Sequence, residues 1–288
     1  MFYVTFKSFL LFPVLSSLFA GTLSTPASYP RQYVEKFRGK RQIQNLNVVV
    51  TTETHANTLD WITLKSQGKI AKPPPLPATF PQDPNKKTSR PISELEIPGV
   101  KKGPSGTVPV PRVNSTYLKS LCQKKQPPRV PDSSKRQDVG SHWYINSDQV
   151  VNNYGGGFVT SMFAPFVNNT GDFSLLQTAV TAQTSVGKQT VEAGWIVFPD
   201  QVSLPHIFTF FTTNDYTSDG NNIGGWNQDV TGWVQTDSTY FPGTAFSSLS
   251  TIGGTQYEMT MEYQLYEGNW WLLVIDRYVA SYEQLLKR

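Results

Sequence analysis

One cysteine, Cys122, is the chain's whole supply of thiol. No intrachain disulfide can form, and no cysteine-based metal cluster can be built. Histidine is nearly as scarce. His55, His142 and His206 are dispersed in sequence, suggest no metal site, and each reads singly as structural or surface. A Gly-x-Ser-x-Gly nucleophile elbow is missing, as are a P-loop and a dinucleotide fingerprint, so no cofactor is expected. Long helical periodicity is absent too, and the one apolar run, near the N-terminus, is short for a membrane span and carries Pro13.

What is present divides at about residue 140. Up to that point there are 21 Lys and Arg against 8 Asp and Glu; beyond it, 4 against 13. The formal charges are therefore +13 and −9, and the overall +4 describes neither part. Seventeen of the 21 prolines lie in the first part and six of the seven tryptophans in the second. A basic, Pro-rich segment thus precedes an acidic, Gly- and aromatic-rich one, and the two are not expected to share a core. The basic residues are scattered among prolines without interleaved aromatics, and zinc-finger spacing and RNA-binding aromatic motifs are absent, which argues against nucleic acid as a partner.

Residues 1–27 read as a secretory signal peptide. Lys7 precedes the apolar run from Phe9 to Val14-Leu15, which continues to small residues with cleavage near Ala20 or Ala27. Residues 28–136 form the Pro-rich segment. Val48 to Thr52 and Thr58 to Leu64 are strand candidates, and a proline-punctuated tract from Pro73 to Pro131 is expected to lie extended for want of its own core. Asn114-Ser115-Thr116 and Asn168-Asn169-Thr170 are N-glycosylation sequons. Lys135-Arg136 marks the change of composition. A flexible linker fits this segment, but its charge, opposite to that of the rest, favours a removable pro-segment.

Residues 137–288 have an all-β texture. Strand candidates run through Phe158–Ala164, Phe173–Thr181, Thr190–Phe198, Ile207–Thr213, Gly232–Thr236, Gln256–Tyr266 and Asn269–Ile275, with Gly-Asn and Gly-Gly turns between. Short strands at this spacing imply an antiparallel β-sandwich or barrel. The Trp and Tyr content suggests an exposed concave face for an extended polymer, peptide or glycan.

The strand Thr190 to Phe198 has a carboxylate at its middle. Val191, Ala193, Trp195 and Val197 share one face, and Glu192 lies on the other with Thr190, Gly194 and Ile196. Buried, such an acid must be hydrogen-bonded or paired; the alternative is a solvated sheet face. Hydrolysis by two acids needs one protonated group and one ionised group, and Glu192 is the best single candidate. Glu258 and Glu262 share a face of their strand and read as solvated, while Glu267 beside a turn and Glu283 near the C-terminus are weaker candidates. Residue types alone also permit a glycosidase.

Val191-Glu192-Ala193-Gly194-Trp195, Phe208-Thr209-Phe210-Phe211-Thr212, Gly224-Gly225-Trp226-Asn227 and Gly268-Asn269-Trp270-Trp271-Leu272 occur in that order. Together with Phe173 to Gln177 and the region from Thr58 to Pro77, they resemble the neprosin family of secreted glutamic peptidases. The resemblance implies an antiparallel β-sandwich behind a removable activation segment. It also implies endopeptidase activity at acidic pH with a proline-directed preference, and places Glu192 as the first catalytic glutamate. The family's second glutamate is expected in a Gly-Gly-Glu segment that the sequence does not contain, as in a chain truncated at its C-terminal end. The partners implied are a peptide or protein substrate and the chain's own pro-segment, with secretion and no membrane attachment after signal cleavage. A different class of function also fits: a non-catalytic secreted β-sandwich that binds peptide or cell-wall polymer.

Overall fold

A computed structural model describes residues 2–7, 46–77, 91–112, 145–185, 187–213, 215, 224–229 and 232–283, with the backbone alone for residues 2–7. The chain is an antiparallel β-sandwich with a small three-stranded sheet docked beside it. In chain order the strands are β1 (Phe2–Lys7), β2 (Val48–Glu53), β3 (Thr58–Thr63), β4 (Thr107–Pro111), β5 (Asn146–Val151), β6 (Gly155–Ser161), β7 (Ser174–Thr184), β8 (Gly187–Phe198), β9 (Val202–Thr212), β10 (Gly224–Trp226), β11 (Trp233–Gln235), β12 (Glu258–Tyr266), β13 (Asn269–Val274) and β14 (Arg277–Glu283). The first sheet has the order β10-β9-β8-β7-β1-β5 and the second β11-β14-β13-β12-β6.

Alternation fixes which face of each sheet turns inward. On β12, Met259, Met261 and Tyr263 are buried while Glu258, Thr260, Glu262 and Gln264 are only half-covered, the pattern of a strand with one face on the core. From the first sheet Val180, Val191, Ala193, Trp195, Ile207 and Phe211 meet these residues, together with Trp270, Leu272 and Tyr282. Polar ties cross the core where an aromatic ring carries a donor: Tyr263 donates to the Glu192 carbonyl at 3.2 Å, and Tyr282 to Thr209 Oγ1 at 3.2 Å. Strands β12 and β13 are joined through Glu267 and Gly268, both at positive φ (47° and 80°), as the twist of a two-residue hairpin turn requires.

The tryptophans do not form the exposed concave face expected from composition. Trp61, Trp195, Trp226, Trp233, Trp270 and Trp271 are all buried. They fill the space between layers, where large apolar area is most stabilising.

The expectation for the Pro-rich part is also corrected. Residues 91–112 are not merely extended: they hold a 3₁₀ turn at Glu94–Glu96 and strand β4. Pro109 and Pro111 are tolerated in β4 because it is an edge strand, pairing with β3 alone. Nor are the cores separate. Leu59, Trp61 and Leu95 cluster with Phe241 of the sandwich. Polar contacts reinforce this seam. Gln67 and Gln235 exchange hydrogen bonds of 2.8 and 2.9 Å, Gln235 Nε2 donates to Pro109 O, and Asn57 Nδ2 to Gly243 O. The surface ion pairs of Arg277 with Glu96 and Asp237, at 3.8 and 3.7 Å, are long and part-exposed and add little.

Strand β1 lies between β7 and β5, within the stretch read as a signal peptide. The remainder of that stretch, the sequon at Asn114 and Lys135-Arg136 fall outside the described residues. Asn168, the acceptor of the other sequon, is exposed between β6 and β7. No helix among the described residues is long and apolar enough to cross a membrane.

Candidate active site

Glu192 occupies the middle of β8, flanked in register by Ala179 of β7 and Phe210 of β9. The solvated-face reading fails, since the residue is 1% exposed. Strand β8 is buried on both faces from Gln189 to Phe198. The carboxylate is held from two sides: Gln177 Nε2 donates to Oε2 at 2.6 Å and Thr190 Oγ1 donates to Oε1 at 2.7 Å. Both donors are themselves buried. An ionised carboxylate is acceptor-only with about four lone-pair sites, so this cradle orients the group without exhausting its capacity.

Local sequence explains the cradle. Thr190 is two residues from Glu192 and shares its face of the strand. Gln177 lies diagonally across, opposite Gly194. A side chain at 194 would fill the space the Gln177 side chain crosses. A Cβ there would collide with the Leu176 carbonyl oxygen and lie 2.7 Å from Gln177 Cα. Gly194→Ala is therefore expected to destabilise the fold by about 2 kcal/mol through overpacking between central strands. A urea unfolding curve checks this, and an unchanged midpoint would show that the strands part freely.

Beside the carboxylate the same face carries an aromatic wall. Trp226 is ringed by Phe210 at 5.4 Å, Phe208 at 5.7 Å, Phe173 at 6.0 Å and Phe198 at 6.1 Å between ring centroids. Asn227, at φ 52°, anchors this wall by accepting the Thr209 amide at 2.9 Å. Burial raises the Tyr263 hydroxyl well above its usual range, helped by Tyr282 and Glu192, so it remains a donor beneath the site.

Of the remaining carboxylates named from sequence, Glu258, Glu262 and Glu267 are not brought to Glu192. Glu258 and Glu262 project from the outer face of β12, while Tyr263 of the same strand reaches Glu192 from the inner face. Glu262 instead accepts from Gln264 Nε2 at 2.8 Å. Glu267 sits exposed in the hairpin turn, and Glu283 ends β14 opposite Asn269. His206 is buried on the first sheet, its Nδ1 2.8 Å from Leu204 O and its Nε2 3.0 Å from Gln201 Oε1. Among the described residues no three His, Cys, Asp or Glu side chains converge as metal ligands do.

Gln177 is the functional neighbour that sequence reasoning left unassigned, although it fell within a quoted motif. Counting back from the turn at Thr184 and Gly187 sets Ala179 opposite Glu192 and puts Gln177 on the same face, one pleat away.

Residues 170–284 match the family model described as Neprosin. The match contains β7 to β14, and with them Glu192, Gln177, Thr190 and the aromatic wall.

Proposed function

We propose that this chain is a secreted glutamic endopeptidase using Glu192 at acidic pH, a reading supported by the match of residues 170–284 to the Neprosin family model, which points to a peptidase-type function in general terms. One observation carries the reading: a carboxylate in the middle of an apolar strand is buried yet held by two side-chain donors. Such an arrangement is costly unless the group serves a purpose.

In the reaction, Glu192 takes a proton from water as the water oxygen attacks the scissile carbonyl carbon. A second, protonated carboxyl group donates to the carbonyl oxygen. The tetrahedral intermediate then collapses, the C–N bond breaks and the leaving amine takes up a proton. Gln177 and Thr190 keep the carboxylate aligned throughout. In this reading the second carboxyl stands where the family resemblance implies a Gly-Gly-Glu segment; these 288 residues contain none, and the cleavage test below decides whether another carboxyl takes that place. The N-terminal unit, seated through Phe241 and Gln235, serves as the pro-segment.

A second reading is favoured by the placement of Glu258 and Glu262 on the far side of the sandwich. One carboxylate cannot act as base and acid in a single step, and a domain with Glu192 alone would bind peptide or polymer without cutting it. Incubating the full chain at about pH 4, near the carboxylate range, with a mixed peptide pool containing proline separates the two. Endopeptidase activity predicts new internal termini by mass spectrometry that persist with pepstatin. Saturable binding with no cleavage would replace the enzyme by the binding module.

A further inference from the structure

The outer face of the second sheet, on the opposite side of the sandwich from Glu192, carries a different kind of site. Residues 71–77 run across it with no regular hydrogen-bonded structure. Their burial has a period of three: Ala71 and Pro77 are half-buried and Pro74 is buried, while Lys72, Pro73, Pro75 and Leu76 are exposed. Three residues per turn is the repeat of the polyproline II helix, whose backbone carbonyls are free to accept hydrogen bonds. One edge of that helix faces the sheet.

The sheet side is built to receive it. The single Tyr278 O–H is shared between two acceptors, Gln264 Oε1 at 2.6 Å and Pro75 O at 3.1 Å. Pro74 helps line two open hollows of about 510 and 380 Å³, the larger formed between Ala71, Pro73 and Leu76 of the tract and Arg277 and Tyr278 of the sheet. Tyr154, Gly155 and Tyr266 line the smaller one. Gly155 lets β6 lie close against β12, because a Cβ there would run into the Tyr263 carbonyl. Trp271, opposite Gln264 on β13, packs edge-on against Tyr278 with ring centroids 5.8 Å apart. Its buried Nε1 has no hydrogen-bond partner among the described residues. Aromatic rings spaced along a groove, with a phenol aimed at a prolyl carbonyl, are the means by which polyproline II ligands are recognised. Charge fits as well: Glu258 and Glu262 stand on this face, and Lys69 and Lys72 precede the prolines.

We propose that this face is a binding groove for proline-rich peptides in the polyproline II conformation, filled here by the chain's own Pro73–Pro77 and open to a basic, proline-rich segment of a partner protein when that tract leaves. The groove does not depend on the peptidase reading, because both sheets separate it from Glu192.

The test uses the full chain with Pro73, Pro74 and Pro75 replaced together by Gly, Ser and Gly, and a labelled peptide with the sequence of residues 69–77. Fluorescence anisotropy should show saturable binding to the vacated chain and at least about tenfold weaker binding to the unsubstituted chain, whose groove is already filled. Adding Tyr278→Phe should weaken binding about fivefold, the loss of one hydrogen bond, and Pro74→Ala in the peptide should weaken it further. Absence of binding to a folded, vacated chain, or binding indifferent to both changes, overturns the proposal. Should the triple variant not fold, Tyr278→Phe in the natural chain gives a second reading. Limited trypsin cleavage after Lys69, just ahead of the tract, should quicken as the tract lifts more often, and an unchanged rate counts against the groove.

Discussion

Glu192→Gln is expected to cut peptide hydrolysis at acidic pH by about a thousandfold, the usual scale for loss of a general base. The substitution is nearly isosteric but not neutral to its surroundings. Gln177 Nε2 and Thr190 Oγ1 both donate to the carboxylate, whereas an amide offers one oxygen and sets its own N–H groups against one donor. A cost of roughly 1–3 kcal/mol is expected from the mismatch. Low activity alone would then be ambiguous. Exchanging the partners, Gln177→Glu with Glu192→Gln, restores the donor–acceptor match in the same buried space while moving the negative charge to β7. This double variant should recover most of the stability and none of the hydrolysis, as read by urea unfolding beside product analysis. Hydrolysis retained in either variant would remove Glu192 from the chemistry.

Acid should also loosen the fold through His206. Burial holds its imidazole down to about 4, against 6.5 for the free side chain, with the contact to Leu204 O opposing the shift. The group is neutral when folded and protonates more readily once unfolded. Its contribution is therefore fully present above about pH 6.5 and is lost as pH falls toward and through 4. Below both values the loss is about 3 kcal/mol. His206→Asn retains a donor able to reach Leu204 O but cannot take up a proton. Across unfolding curves measured from pH 7 to about pH 4, the natural chain should lose more stability than this variant. Parallel curves would show that His206 is not what gives way. The first sheet thus contains a built-in limit on how acidic the surroundings of the fold can become.

The sandwich was legible where burial is one-sided. Alternation along Gln256–Tyr266 and the turn beside Gly268 lead directly to β12, β13 and the outward placement of Glu258 and Glu262. Glu192 was legible as a carboxylate needing a partner, and hairpin register supplies Gln177. Tryptophan was misread because composition reports how much aromatic area exists and not which way it faces; all six described tryptophans turned inward. Strand β14 escaped notice because it begins with Arg277 and Tyr278, whose long side chains reach Thr239 and Gln264 instead of following an apolar rhythm. The N-terminal sheet was half-read: β2 and β3 have β-branched runs, whereas β4 consists of alternating prolines and valines whose strand character depends on the edge of β3.

Cluster membership of Phe241 has a consequence for the order of events during synthesis. Leu59, Trp61 and Leu95 leave the ribosome long before the residue that completes their cluster, and Asn57 waits 186 positions for Gly243. Closing so long a loop is slow, and apolar surface stays uncovered in the meantime. The nascent N-terminal part must therefore remain unfinished, with Trp61 accessible to chaperones, until the β11–β12 connection arrives. Translation pauses that hold residue 241 inside the ribosome would lengthen that exposure, and pauses after it has emerged would not.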